Sequence, residues 1–176
     1  MRALEGSERH DVSLRELARE VGVSPTAVYR HFPNKGALLA ALGEAGLAML
    51  GEAQRAAYEA AGGGSKGFAE TGRAYVRFAL AHPALFRLVF AHGDMAAIPS
   101  GKNDPAWNLL RRSTVELAGD GPDAERLALQ AWSIAHGLAM LMLDGRLPSD
   151  DALIERLIDT GSMCPPRQGS SSEESP

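Results

Sequence analysis

From Val21 to Gly43 the chain carries no Asp or Glu, yet Arg30, His31 and Lys35 fall inside that stretch beside Tyr29. Phenol, guanidinium, imidazole and ammonium groups are donors suited to phosphate oxygens, and without carboxylates nearby they present a locally positive surface. The chain as a whole, 176 residues long, has a formal net charge of −4. Residues 1–35 hold six Lys/Arg against five Asp/Glu, so all the excess acid lies further on. A positive patch set apart in this way points to contact with a polyanion.

A second candidate lies in the distal half, where Trp132 and His136 stand four residues apart. On a helix that spacing puts an indole and a titratable imidazole on one face, able to stack on and hydrogen-bond a small molecule; the same pair can equally be core packing. His82, His92 and His136 show no ligand spacing on a common turn, so no metal site is expected. There is no nucleophile elbow, paired-carboxylate motif or phosphate-binding glycine loop. Neither catalysis nor a cofactor is expected.

The elements that position these residues read as helices throughout. "SLRELAREV" starts with Ser13 and Glu16 in capping-box spacing and has Leu14, Leu17, Ala18 and Val21 as its apolar stripe. Gly22 ends it, and Ser24-Pro25 opens the next helix as cap and first helical residue. Two short helices joined by a glycine-containing turn predict a helix-turn-helix. In that arrangement the start of the second helix meets base edges and the first helix crosses the backbone. Thr26 and Ala27 are then base-reading candidates, and Tyr29, His31 and Lys35 phosphate contacts, with Arg30 able to do either. Ser13, Arg15 and Ser24 complete the candidate DNA-binding set. From pattern alone, an ordinary helical hairpin with a wet polar face fits as well.

Pro33-Asn34 stops the second helix, and a long one is expected from about Lys35 to Ala60. "AGGGSKG" breaks it, and a face of Phe68, Gly72, Tyr75, Phe78 and Ala79 follows. His82-Pro83 starts a short helix with Phe86 and Phe90, and Asp104-Pro105 starts another through Trp107, Leu110, Thr114 and Leu117. From Leu127 to Leu143 the pattern is apolar nearly all round, so that helix needs cover on more than one side. Ser149 is the expected cap of a last helix bearing Leu153, Ile154, Leu157 and Ile158, ended by Gly161. No run has the uninterrupted apolar length of a membrane span, and the N-terminus lacks a signal-peptide centre. The lone Cys164 can make no internal disulfide, and a cytoplasmic setting is expected.

"SLRELAREVGVSPTAVYRHFPNKGALLAAL" resembles the DNA-binding domain of the TetR family of bacterial transcriptional regulators in its Gly-Val-Ser turn, its Tyr-x-His-Phe segment and its Asn-Lys helix start. "AWSIAHGLAML" is similar to the tryptophan-histidine-glycine signature of one C-terminal class in that family, here Trp132, His136 and Gly137. The resemblance implies a homodimer that binds a palindromic operator and releases it when a small molecule enters the larger helical domain. Family members have a full helix before the helix-turn-helix, whereas only "MRALEGSERHD" precedes Val12. The expectation is therefore either a start further upstream or a weakly supported reading head. A chain that had lost DNA binding would instead be a helical small-molecule-binding protein or enzyme.

The expected organisation is all-α: a DNA-binding domain at 1–42, a ligand-binding and dimerisation domain at 43–163, and a disordered tail at 164–176. Tyr75, Phe78, Phe86, Phe90, Trp107, Trp132 and Met140 are the candidate lining for an apolar or aromatic effector, with His136 as its polar group. Leu127, Ile134, Leu138, Leu141, Leu153, Ile154, Leu157 and Ile158 are the candidate dimer interface, formed by the last two helices with their symmetry mates.

Overall fold

The computed structural model describes residues 24–91 and 105–159. The expectations placed on Ser13, Arg15, the first helix, Gly161 and the tail lie outside the described residues. Seven helices occur among the described residues: α1 Pro25–His31, α2 Lys35–Ala60, α3 Gly64–Ala81, α4 Pro83–Ala91, α5 Pro105–Ala118, α6 Pro122–Leu143 and α7 Asp151–Leu157. The chain divides into a unit at Met1–Leu42 and a unit at Gly43–Pro176.

In the first unit, Pro25 occupies the first turn of α1, where its missing N–H is not needed. Ser24 precedes it in extended conformation but makes no side-chain cap; its carbonyl instead accepts from Ala27 and Val28. Ser24 is thus a cap by position only. Asn34 caps α2, its Oδ1 accepting from Ala37 N at 2.9 Å.

In the second unit, the turn from α2 to α3 depends on Gly62, Gly63 and Gly64, with φ of 80°, 73° and 60°. Three left-handed residues in succession are accessible only to glycine at low cost. Tyr58 locks the turn: its hydroxyl accepts from Gly64 N at 3.2 Å and donates to Glu116 at 2.7 Å. The core lies where α3 and α6 meet. Phe68, Val76, Ala79, Phe86, Ala128 and Ala139 are fully shielded there, and burying side chains of this kind is the main driving force for assembly. Thr71, Ser113 and Thr114 are buried too, each satisfied by a carbonyl of its own helix.

With only seven residues, α7 cannot stand alone. Ile154 and the following Ile158 drive into the core, while Arg73 of α3 donates to Ile158 O at 2.8 Å and pairs with Glu155, and Arg77 pairs with Asp151. Its N-cap is Asp150, which accepts from Ala152 N, rather than Ser149. The carboxylate one residue on fits because it reaches the free N–H and also complements the helix dipole.

By length and composition α2 is apolar enough to cross a membrane, although Glu44, Glu52 and Glu59 interrupt it. It approaches its neighbours through glycine. A Cβ at Gly46 would meet Val89 Cγ2 at 2.7 Å, and one at Gly51 would meet Pro105 Cβ at 2.7 Å and the Ala106 nitrogen at 3.0 Å, whereas Gly43 has open space. Gly51→Ala therefore destabilises the chain by about 1–3 kcal/mol through overpacking against backbone, outweighing a helix-propensity gain of about 1 kcal/mol. Gly43→Ala stabilises it by about 0.5–1 kcal/mol. Urea denaturation of both variants separates the two effects.

Candidate functional site

On α1, Thr26, Tyr29 and Arg30 share one face by their spacing, and all three are exposed, Tyr29 to 42%. His31 and Ser24 are exposed as well, while Ala27, Val28, Phe32 and Lys35 are half-buried. The face holds hydroxyl, phenol and guanidinium donors with no carboxylate, chemistry suited to phosphates and base edges.

The second candidate is a cavity within the C-terminal unit. Leu47, Leu50 and Gln54 of α2 form one wall, Tyr75 of α3 and Phe90 of α4 another, Ala106, Trp107 and Leu110 of α5 a third, and Ala131, Trp132 and Ala135 of α6 the fourth. The hollow exists because large rings face small residues: Ala131 and Ala135 leave room beside Trp132, which meets Trp107 edge to face at 6.3 Å. About 30 Å³ is free for the centre of a water-sized sphere, inside a concavity of about 450 Å³ that opens toward solvent. None of these lining residues is charged.

Behind this wall, the Tyr75 hydroxyl lies 2.9 Å from His136 Nδ1 and 3.4 Å from Trp132 Nε1. An indole N–H only donates, so the phenol oxygen accepts from Trp132, and the same hydroxyl is within hydrogen-bond distance of His136 Nδ1. The ring is packed against Phe86 at 5.7 Å and Phe90 at 4.9 Å, and its burial holds the imidazole pKa below the ordinary 6.5.

Of the expected ligand set, Tyr75, Phe90, Trp107 and Trp132 line the cavity; Phe78, Phe86, His136 and Met140 do not. Phe78 is one turn along α3 and packs on His82 at 4.9 Å. Phe86 is fully buried beneath Tyr75, and Met140 is two turns beyond Trp132, against the core. His136 orients Tyr75 from behind instead of facing the hollow. Residues the sequence reading left out are Leu47, Leu50, Gln54, Ala106, Leu110, Ala131 and Ala135. The glutamine was findable, because it interrupts the Leu47, Leu50 stripe at helical spacing. The alanines were not, since a hollow is visible only against its opposite wall.

The expected interface is narrowed in the same way. Leu127, Leu138, Ile154 and Ile158 are buried in the chain's own core. Leu141 and Leu157 are exposed, to 46% and 39%, with Ile134 and Leu153 half-buried beside them.

Because folding lowers the His136 pKa, the unfolded chain binds the proton more readily. Stability from the neutral ring is complete above about pH 6.5 and falls as pH drops from there toward the folded-state value. The urea midpoint should therefore decline between about pH 7.5 and about pH 5.5. His136→Gln, which keeps a polar partner for Tyr75 without titrating, should show a smaller decline.

Residues 9–42 match the profile of bacterial regulatory proteins of the tetR family, and residues 68–161 match that of the tetracyclin repressor-like C-terminal domain. A solved structure of a protein of unknown function from Rhodococcus sp. RHA1 is 35% identical over 86% of this chain and 83% of its own, with a TM-score of 0.70. A second, described as a candidate regulatory protein, is 22% identical over 88% of this chain and 85% of its own, with a TM-score of 0.64, and shows the fold alone. The search of curated proteins gave no match. The helical architecture, the N-terminal helix-turn-helix match and the C-terminal domain match agree: the chain belongs to the TetR family and is a DNA-binding transcriptional regulator.

Proposed function

We propose that the chain is a repressor, released from a palindromic operator when a small neutral apolar or aromatic molecule fills the cavity of its C-terminal unit. The observation that carries this reading is the cavity itself, walled by two tryptophans, a tyrosine and a phenylalanine with no charged group among the described lining residues. Sites of this kind bind apolar ligands oriented by a few polar atoms. A route for the effect is available in α2. It begins at Lys35 in the first unit, continues past Leu42 into the second, and there contributes Leu47, Leu50 and Gln54 to the cavity. A ligand shifts DNA affinity only if it binds the DNA-free arrangement more tightly than the DNA-bound one.

Assembly as a homodimer is part of the reading. Gly137 lies on α6 one turn after the half-buried Ile134 and one turn before the exposed Leu141, and a Cβ there would meet nothing within 4 Å among the described residues. Packing among the described residues therefore gives no reason for glycine, whereas close approach by a second helix would. The exposed Leu141, one turn on, adds apolar surface.

Operators selected from a random DNA pool should be palindromic, with half-sites about 34 Å apart or a small multiple. Added aromatic compounds that quench tryptophan emission should lower operator affinity. Compounds that bind equally well with and without operator would exclude ligand release. Lys35→Ala should weaken binding to all sequences alike and reduce the salt slope by about one. The double variant Leu141→Glu, Leu157→Glu should sediment as a monomer while unmodified chain sediments as a dimer; a monomeric unmodified chain refutes the assembly.

A further inference from the structure

Gln54 is 6% exposed on the inner face of α2 and lines the cavity. Its Nε2 donates to the Thr71 carbonyl at 3.2 Å. A carbonyl oxygen can only accept, so the amide must sit with its nitrogen toward Thr71, and the orientation of its oxygen follows. That oxygen, Oε1, is buried and has no donor among the described residues. An acceptor left unmet in an apolar setting is costly, and buried groups of this kind normally have a partner. The other hydroxyl on the wall, Tyr75, is engaged by Trp132 and His136.

We infer that Gln54 Oε1 is the polar anchor of the effector, accepting a hydrogen bond from a neutral aromatic molecule that carries a hydroxyl or N–H donor. This rests on the reading of the cavity as the effector site. The rest of the molecule lies against the aromatic wall of Trp107 and Trp132, whose rings meet edge to face and offer a further ring faces and edges to pack on. An ammonium donor is disfavoured because no carboxylate among the described lining residues compensates its charge, and a carboxylate would bring a second acceptor to Oε1 with no cation among those residues. The free volume admits a water, which can serve the same acceptor in the unliganded state. The ligand's donor replaces it, and a ligand lacking a donor leaves the acceptor bare.

The test uses phenol and toluene, near-isosteres that differ in a hydroxyl against a methyl. Both tryptophans of the chain, Trp107 and Trp132, line the cavity, so their emission, excited beyond the absorption of phenol, reports occupancy directly. In Gln54→Met, which keeps chain length and apolar volume, phenol should bind about tenfold more weakly, equivalent to about 1.4 kcal/mol, while toluene holds or tightens. Anisole retains the oxygen without a donor and makes the comparison on the unmodified chain, where it should bind about tenfold more weakly than phenol. Equal loss of phenol and toluene in the variant, or anisole binding as tightly as phenol, overturns the anchor role and leaves the effector site standing. Failure of all three probes to bind the unmodified chain up to their solubility overturns both.

Discussion

A phenol buried to 4% exposure must have its hydroxyl satisfied, and the partners that meet this demand for Tyr75 organise the C-terminal unit. Its ring meets Phe86 edge on at 5.4 Å and Phe90 at 6.2 Å, so one residue of α3 anchors both aromatic positions of α4. Its oxygen ties Trp132 and His136 of α6 into the same cluster. Burial against the rings of Phe86 and Phe90 disfavours the charged imidazole. The wall of the cavity and the state of the histidine are therefore consequences of one burial.

The cavity results from mismatched volume around that anchor. Close-packed interiors leave few voids, so a persistent hollow needs walls that cannot collapse. Two features supply them here. Gly51 lets α2 seat directly on the start of α5, so the two helices carrying Leu50 and Trp107 are held at backbone contact. Ala131 and Ala135 on the opposite side are too short to reach across. Tightness at one contact and shortness at another produce empty space between them.

Charge is distributed by the same logic of local need. On α1 the exposed groups are donors without carboxylates, whereas in the second unit Arg73 and Arg77, braced by Glu70 of their own helix, hold α7 through Asp151 and Glu155, and Arg87 meets Asp144 at the end of α6. Exposed ion pairs each contribute little. Arg73 stands apart, because its side chain is only 17% exposed and it also donates to backbone carbonyls in the last turn of a short helix and just past its end. Its role is to satisfy groups that a helix of seven residues leaves open.

Helix identities, their approximate ends and the apolar stripe of α3 were legible in the sequence because they depend on neighbours three or four residues away. Proline openings at 25, 83 and 105, the glycine run at 62–64 and the carboxylate-free stretch before Gly43 are local signals of that kind. The family, too, was readable from contiguous motifs. What tertiary structure decided was the partner of each side chain. His136 faces aromatic rings and a phenol instead of the cavity, Phe78 and Phe86 belong to the core, and Leu127, Leu138, Ile154 and Ile158 are spent on the chain's own packing. Periodicity reports that a helix face is apolar, but core, cavity and interface are all apolar. Only the distance to the opposite wall distinguishes them, and that distance is set by helices far away in sequence.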